Sequence, residues 1–186
     1  MKTAIVTDTN SGITVEEGRQ SGIFVLPMPV IIEEHCYLEG VDITNEDLYQ
    51  AMTADKNLSS SQPSPGDVMD LWNRVLESGY DEIVHIPMSS GLSGSCQTAK
   101  QLALDYDSKV QVVDNHRISV TLMESVYDAK FLADQGKSAV EIRKYLEETA
   151  YQASIFLTVN SLKYLKKSGR ITSSAAAIAN ILNIKP

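Results

Sequence analysis

At 186 residues the chain has room for one substantial domain, or for one domain and part of another. A hydrophobic share of 43% with only 6% aromatics predicts an aliphatic core and excludes disorder over any long stretch. A formal net charge of −8 and a sequence pI of about 4.8 repel polyanions, so nucleic acid is not an expected partner.

The amino end, Lys2-Thr3-Ala4-Ile5-Val6-Thr7-Asp8, reads as a strand and not as a secretory leader. No apolar run approaches the roughly 18–20 residues that span a bilayer. The expectation is a soluble, cytoplasmic protein with at most transient membrane contact. Cys36 and Cys96 match neither a metal-ligand spacing nor a CxxC pair and read as free thiols.

In chain order, the apolar run Ala4-Ile5-Val6 ends in the polar turn 7–12. Residues 25–42 read as extended pieces punctuated by Pro27 and Pro29, forming a hairpin or lid-like excursion. The Ser- and Pro-rich patch 59–65 excludes a helix, reads as a solvated loop, and lets Ser64 lead into the next element. That element is a helix over 67–78, with Val68, Leu71, Trp72 and Val75 on one face and Gly79 as its stop. A strand over 83–86 runs into the loop 87–95, and a helix over 95–106 follows. A strand over 110–113 ends in Asp114-Asn115-His116. Further helices are predicted over 120–133 and 139–150, the latter capped by Ser138. A strand over 155–159, a short helix over 160–167 and an Ala-rich helix over 173–182 complete the reading. This alternation predicts an α/β fold with a parallel sheet flanked by helices over residues 1–150, and the opening elements of a second α/β domain over 151–186.

In such a sheet ligands bind beyond the carboxyl ends of the strands. The loop Ser89-Ser90-Gly91-Leu92-Ser93-Gly94-Ser95 falls there. Its glycines let backbone N–H groups approach a ligand, its serines add donors, and the following helix adds its positive dipole end, which suits a phosphate or a carboxylate. A capped helix start with no ligand explains the same pattern equally well. The loop matches neither GxxxxGK[ST] nor GxGxxG, so nucleotide binding lacks its signature. Ser93, His116 and Asp114 assemble a triad on paper, without a GxSxG elbow. His35 reads as a surface-turn residue, His85 as a satisfied core histidine, and Asp8 as a cap of the 9–12 turn in preference to a metal ligand. No metal and no cofactor are expected.

Taken in order, several motifs resemble the DegV family. They are Ile5-Val6-Thr7-Asp8-Thr9, Leu26-Pro27-Met28-Pro29-Val30 with Tyr37-Leu38-Glu39-Gly40-Val41-Asp42-Ile43, Ser60-Ser61-Gln62-Pro63-Ser64, and Ile86-Pro87-Met88-Ser89-Ser90-Gly91-Leu92-Ser93-Gly94-Ser95. Val112-Val113-Asp114, Leu162-Lys163-Tyr164-Leu165-Lys166-Lys167-Ser168-Gly169-Arg170-Ile171 and Leu182-Asn183-Ile184-Lys185-Pro186 continue the match to the end of the chain. The resemblance implies a noncatalytic carrier that binds one long-chain fatty acid. Ser93, N–H groups of the Ser93-Gly94 turn and a hydroxyl of Ser60 or Ser61 hold the carboxylate. It also implies presentation of the lipid to a separate ATP-dependent fatty-acid kinase, which forms an acyl phosphate for phospholipid synthesis, with Arg170 as the contact for that partner. Family members continue past the Ile-Lys-Pro motif, so the resemblance further implies that the chain is truncated on its carboxyl side. At the amino-end turn, Thr9-Asn10-Ser11-Gly12 stands where the family more usually has Ser-Thr and an acidic residue, and Asn115 stands in place of a serine. The rival readings are a serine-dependent hydrolase or phosphotransferase, and a noncatalytic regulatory or interaction module.

Overall fold

The computed structural model of the protein describes residues 1–156, 158 and 162–167. In chain order the elements are β1 (Thr3–Asp8), α1 (Val15–Ser21), β2 (Ile23–Leu26), β3 (Pro29–Ile32), β4 (His35–Leu38), α2 (Asn45–Thr53) and β5 (Leu58–Ser60). They continue with α3 (Pro65–Glu77), β6 (Glu82–Ile86), α4 (Ser95–Leu102), β7 (Val110–Val112), α5 (Ser119–Asp134), α6 (Ala139–Glu148) and α7 (Lys163–Lys167). Two compact units share the chain. The first takes Met1–Met28 and Gln62–Ile155, and the second takes Pro29–Ser61 with the described residues from Phe156 onward.

The first unit is built on a parallel sheet in the order β2-β1-β6-β7, with Ile5 opposite Ile23 and Val84, and His85 opposite Val112. Every residue of β1 and β6 is buried, as expected of strands covered on both faces. Alternation then divides the core. Ile5, Val84 and Ile86 face Leu122, Val126, Ile142 and Leu146 of α5 and α6. Ala4, Val6 and Ile83 pack on the other side with Val68, Leu71, Trp72 and Val75 of α3 and Cys96 and Ala99 of α4. Trp72 is fully buried and meets the rings of His85 and Tyr106 edge-on, at 5.5 and 5.2 Å. The parallel sheet flanked by helices expected from the sequence is therefore present.

Local chemistry starts the helices. Ser64 accepts from the Asp67 N–H while Asp67 reaches back to Ser64, and Pro65 occupies the first turn, where its missing N–H costs nothing. The same reciprocal box opens α6 with Ser138 and Glu141, α1 with Thr14 and Glu17, and α2 with Thr44 and Asp47. The buried Glu82 carboxylate accepts from Thr3 Oγ1 at 2.9 Å and from the Ala139 N–H at 2.7 Å, tying β1, β6 and the start of α6 together. Favourable charge at a helix amino end adds to that bond.

The second unit contains the hairpin expected within 25–42, with β3 antiparallel to β4 and Ile32 opposite His35. Its turn puts Glu33 at φ 54°. One departure is the serine patch: β5 extends through Ser59 and Ser60 and pairs antiparallel with β3, Ile31 opposite Ser59, so these residues are strand and not solvated loop. The sheet packs Val30, Ile32 and Leu58 against Ile43 and Ala51, the latter from α2. His35 is exposed, but it opens β4 instead of lying in the turn. Of the strand predicted over 155–159, Ile155, Phe156 and Thr158 are not strand, while Leu157 and Val159 lie outside the described residues. Arg170, the Ala-rich segment 173–182 and the closing Ile184-Lys185-Pro186 also lie outside them.

Gly18 marks the closest approach of α1 to β2. A Cβ there would stand 2.5 Å from Val25 Cγ2 and 2.7 Å from the Ile23 carbonyl oxygen. Alanine gains about 1 kcal/mol of helix propensity over glycine, but a backbone oxygen cannot swing aside as a side chain can. Gly18→Ala is expected to lower the unfolding free energy by about 1–3 kcal/mol through overpacking, read from the midpoint of urea denaturation.

Candidate functional site

The tips of β1, β6 and β7 converge on the loop of residues 87–94, which enters α4. Asp8, buried at the end of β1, fixes two of these pieces. Its Oδ1 accepts from the Asn10 N–H at 3.0 Å and Nδ2 at 2.9 Å, and its Oδ2 accepts from the Met88 N–H at 3.0 Å. The cap expected of Asp8 is present, and it extends to the neighbouring loop. Thr7 Oγ1 donates to the Ile86 carbonyl at 2.9 Å, adding a second tie between the strands.

The loop is held mostly by its own backbone and by the segment after β7. Ser89 donates its N–H to the Arg117 carbonyl at 2.9 Å. Its own carbonyl accepts the N–H groups of Leu92 and Ser93, and its hydroxyl accepts from Gly91 at 3.2 Å. Asp114 Oδ1 accepts from the Ser90 N–H at 3.3 Å, and it also lies 3.5 Å from His116 Nδ1. Burial raises the Asp114 pKa, yet the hydroxyl and N–H of Ser90, with His116 and Lys100 nearby, together hold it below the usual carboxylate range. His116 stacks on Tyr151 at 5.2 Å.

Ser93 is half-buried, and its Oγ accepts the Ser95 N–H at 3.1 Å. A hydroxyl that accepts in this way keeps its own proton to donate elsewhere. Of the N–H groups of the Ser93-Gly94 turn, that of Ser93 is donated to the Ser89 carbonyl at 3.2 Å. The exposed Gly94 keeps its N–H outside the backbone bonds of the described residues. A Cβ on Gly94 would lie 3.1 Å from Gln62 Oε1, so glycine here lets the Gln62 amide lie across the loop. That amide also pairs with Thr98 Oγ1 at 3.2 and 3.3 Å, a tie from 62 to α4 that no local pattern announced.

Ser60 and Ser61 are exposed and belong to the second unit, where the Ser61 N–H donates to the Pro29 carbonyl at 3.2 Å. In that unit the basic run meets an acid. Lys163 hydrogen-bonds to Asp55 and Lys167 stands 3.6 Å from it, and the bond from Lys163 comes first in lowering the Asp55 pKa.

The paper triad does not assemble. Asp114 reaches His116, but no bond joins Ser93 to His116 among the described residues. His85 is a core histidine, yet not a satisfied one. Neither ring nitrogen has a hydrogen-bond partner among the described residues, and burial takes its pKa down to about 3, so the ring is neutral. Cys36 and Cys96 are free thiols, and burial pushes the Cys96 thiol up to about 11, which leaves it inert. Among the described residues no three His, Cys, Asp or Glu side chains gather as metal ligands, and no helix is long and apolar enough to cross a membrane.

Comparison with known proteins identifies relatives of the chain. A family model described as "Uncharacterised protein, DegV family" matches residues 2–186. A DegV domain-containing protein of Deinococcus radiodurans is 34% identical over 187 residues, covering 100% of this chain and 66% of the relative. Among solved structures, a DegV family protein from Thermus thermophilus described by its fatty-acid binding superposes with a TM-score of 0.84 at 29% identity, over 100% of this chain and 66% of that one. A stearic acid-binding protein from Eubacterium ventriosum gives 0.81 at 30% identity, over 99% and 65%. The chain thus spans about two thirds of the length of the proteins it matches, and it belongs to the DegV family.

Proposed function

We propose that the chain binds a long-chain fatty acid and presents its carboxylate to a separate ATP-dependent fatty-acid kinase, itself contributing no catalytic group. The observation that carries this reading is the hydrogen-bond state of Ser93. Because its oxygen accepts from Ser95, its proton is available to an anion, at the entry of a helix whose dipole favours negative charge. The Gly94 N–H supplies a second donor. The fatty-acid binding named for the Thermus and Eubacterium proteins supports the choice of carboxylate over phosphate.

A noncatalytic role agrees with the bonding of the same loop. Activating a serine needs a base within hydrogen-bond reach, and among the described residues the one bond of the Ser93 hydroxyl is to a backbone N–H that offers no base. The acyl tail brings its own driving force, about 0.8 kcal/mol per buried CH₂. The polar loop therefore has to orient the head more than to hold the molecule. In this reading Arg170 meets the kinase and the lipid site does not depend on it.

Native mass spectrometry of the protein purified from bacterial cells, with extraction and identification of bound lipid, is the direct test. One fatty acid per chain is expected, and a folded protein without lipid counts against the reading. Ser93→Ala removes a charge-assisted bond of about 1.5–3 kcal/mol and is expected to weaken fatty-acid affinity roughly tenfold to a hundredfold in a titration. Arg170→Ala is expected to leave that affinity unchanged while lowering acyl-phosphate formation in the presence of the kinase, measured by phosphate transfer from labelled ATP.

A further inference from the structure

A narrow cleft of the first unit lies where β1 and β6 end against the opening turns of α4. Its polar walls are Asp8, His85, Ser95 and Thr98, and its apolar walls include Leu26 and Val68. It offers about 10 Å³ to the centre of a water-sized occupant, close to the least room that admits one water molecule. Two of its walls carry unmet polar groups: both ring nitrogens of His85 and Ser95 Oγ are buried without a hydrogen-bond partner among the described residues. His85 is only 2% exposed, so bulk solvent does not satisfy it.

The chemistry of the walls selects the occupant. Neutral imidazole presents one donor and one acceptor, and the serine hydroxyl presents both. A methylene group would leave all of them unmet. An anion would meet the Asp8 carboxylate. A cation would find the Asp8 oxygens already accepting from Asn10 and Met88, and the Thr98 hydroxyl paired with Gln62. We propose that the cleft is a built site for one water molecule, bonded to a ring nitrogen of His85 and to Ser95 Oγ. This water joins the central sheet to the first residue of α4. Ser95 is also the residue whose N–H sets the Ser93 hydroxyl, so the buried water belongs to the seat of the anion loop.

The full chain tests this in two ways. A crystal structure at a resolution that defines ordered solvent is expected to show one water within hydrogen-bond distance of His85 and Ser95 Oγ. Nuclear magnetic resonance is expected to show magnetisation passing from water to the His85 ring protons. Ser95→Ala removes one of the two partners with little change of volume, and it is expected to shorten the residence time of the water at least tenfold. A dry cleft with no transfer would overturn the proposal. So would anomalous scattering from a metal, acyl-chain density in the cleft, or a residence time that Ser95→Ala leaves unchanged.

Discussion

The Asp8 carboxylate takes three N–H bonds, two from Asn10 and one from Met88, and through them it sets the tip of one central strand against the loop that leaves the other. A buried carboxylate is tolerated only when its oxygens are met in this way. Once it is fixed, residues 89–94 can fold back on themselves, with the Ser89 carbonyl and hydroxyl collecting three N–H groups from the loop. Among the donors left over are the Ser93 hydroxyl and the Gly94 N–H. The donors proposed to meet an anion at this edge are a remainder, left after the loop has satisfied itself.

A second buried charge supports the same edge from below. Among the described residues Arg117 has no carboxylate partner. Its guanidinium donates to the carbonyls of Thr149 at 2.6 Å and Ala150 at 3.3 Å, and to Ser125 Oγ at 2.8 Å. Those carbonyls close α6, where the helix dipole is negative, so the cation is met by oriented dipoles instead of an opposite charge. Its own carbonyl receives the Ser89 N–H. One residue thus joins the end of α6, the middle of α5 and the start of the serine loop.

Much of this was legible in the sequence, and the limits have physical reasons. The helical face of Val68, Leu71, Trp72 and Val75 and the apolar runs of β1 and β6 are local patterns, and they place the parallel sheet correctly. Helices α1 and α2 escaped because they are short and carry little apolar periodicity, although the Thr14–Glu17 and Thr44–Asp47 boxes were present to mark their starts. Ser59 and Ser60 looked like loop because composition cannot see a partner strand nearly thirty residues away. The serine loop stood out by its glycines and hydroxyls. Which of its N–H groups are already spent depends on Ser89, Arg117 and Asp114, and that accounting exists only in three dimensions.

The interleaving of the two units has a consequence for how the chain is made. β1 pairs with β2 almost at once, but its other edge belongs to β6, with Thr3 opposite Glu82. Between them the ribosome must deliver the whole of 29–61, which belongs to the other unit. Until residue 86 has emerged, a strand that is fully buried in the folded protein presents an open edge, the condition under which nascent chains pair wrongly or recruit chaperones. Order of synthesis, no less than packing, therefore favours an excursion that closes quickly into its own hairpin and helix while the central strand waits.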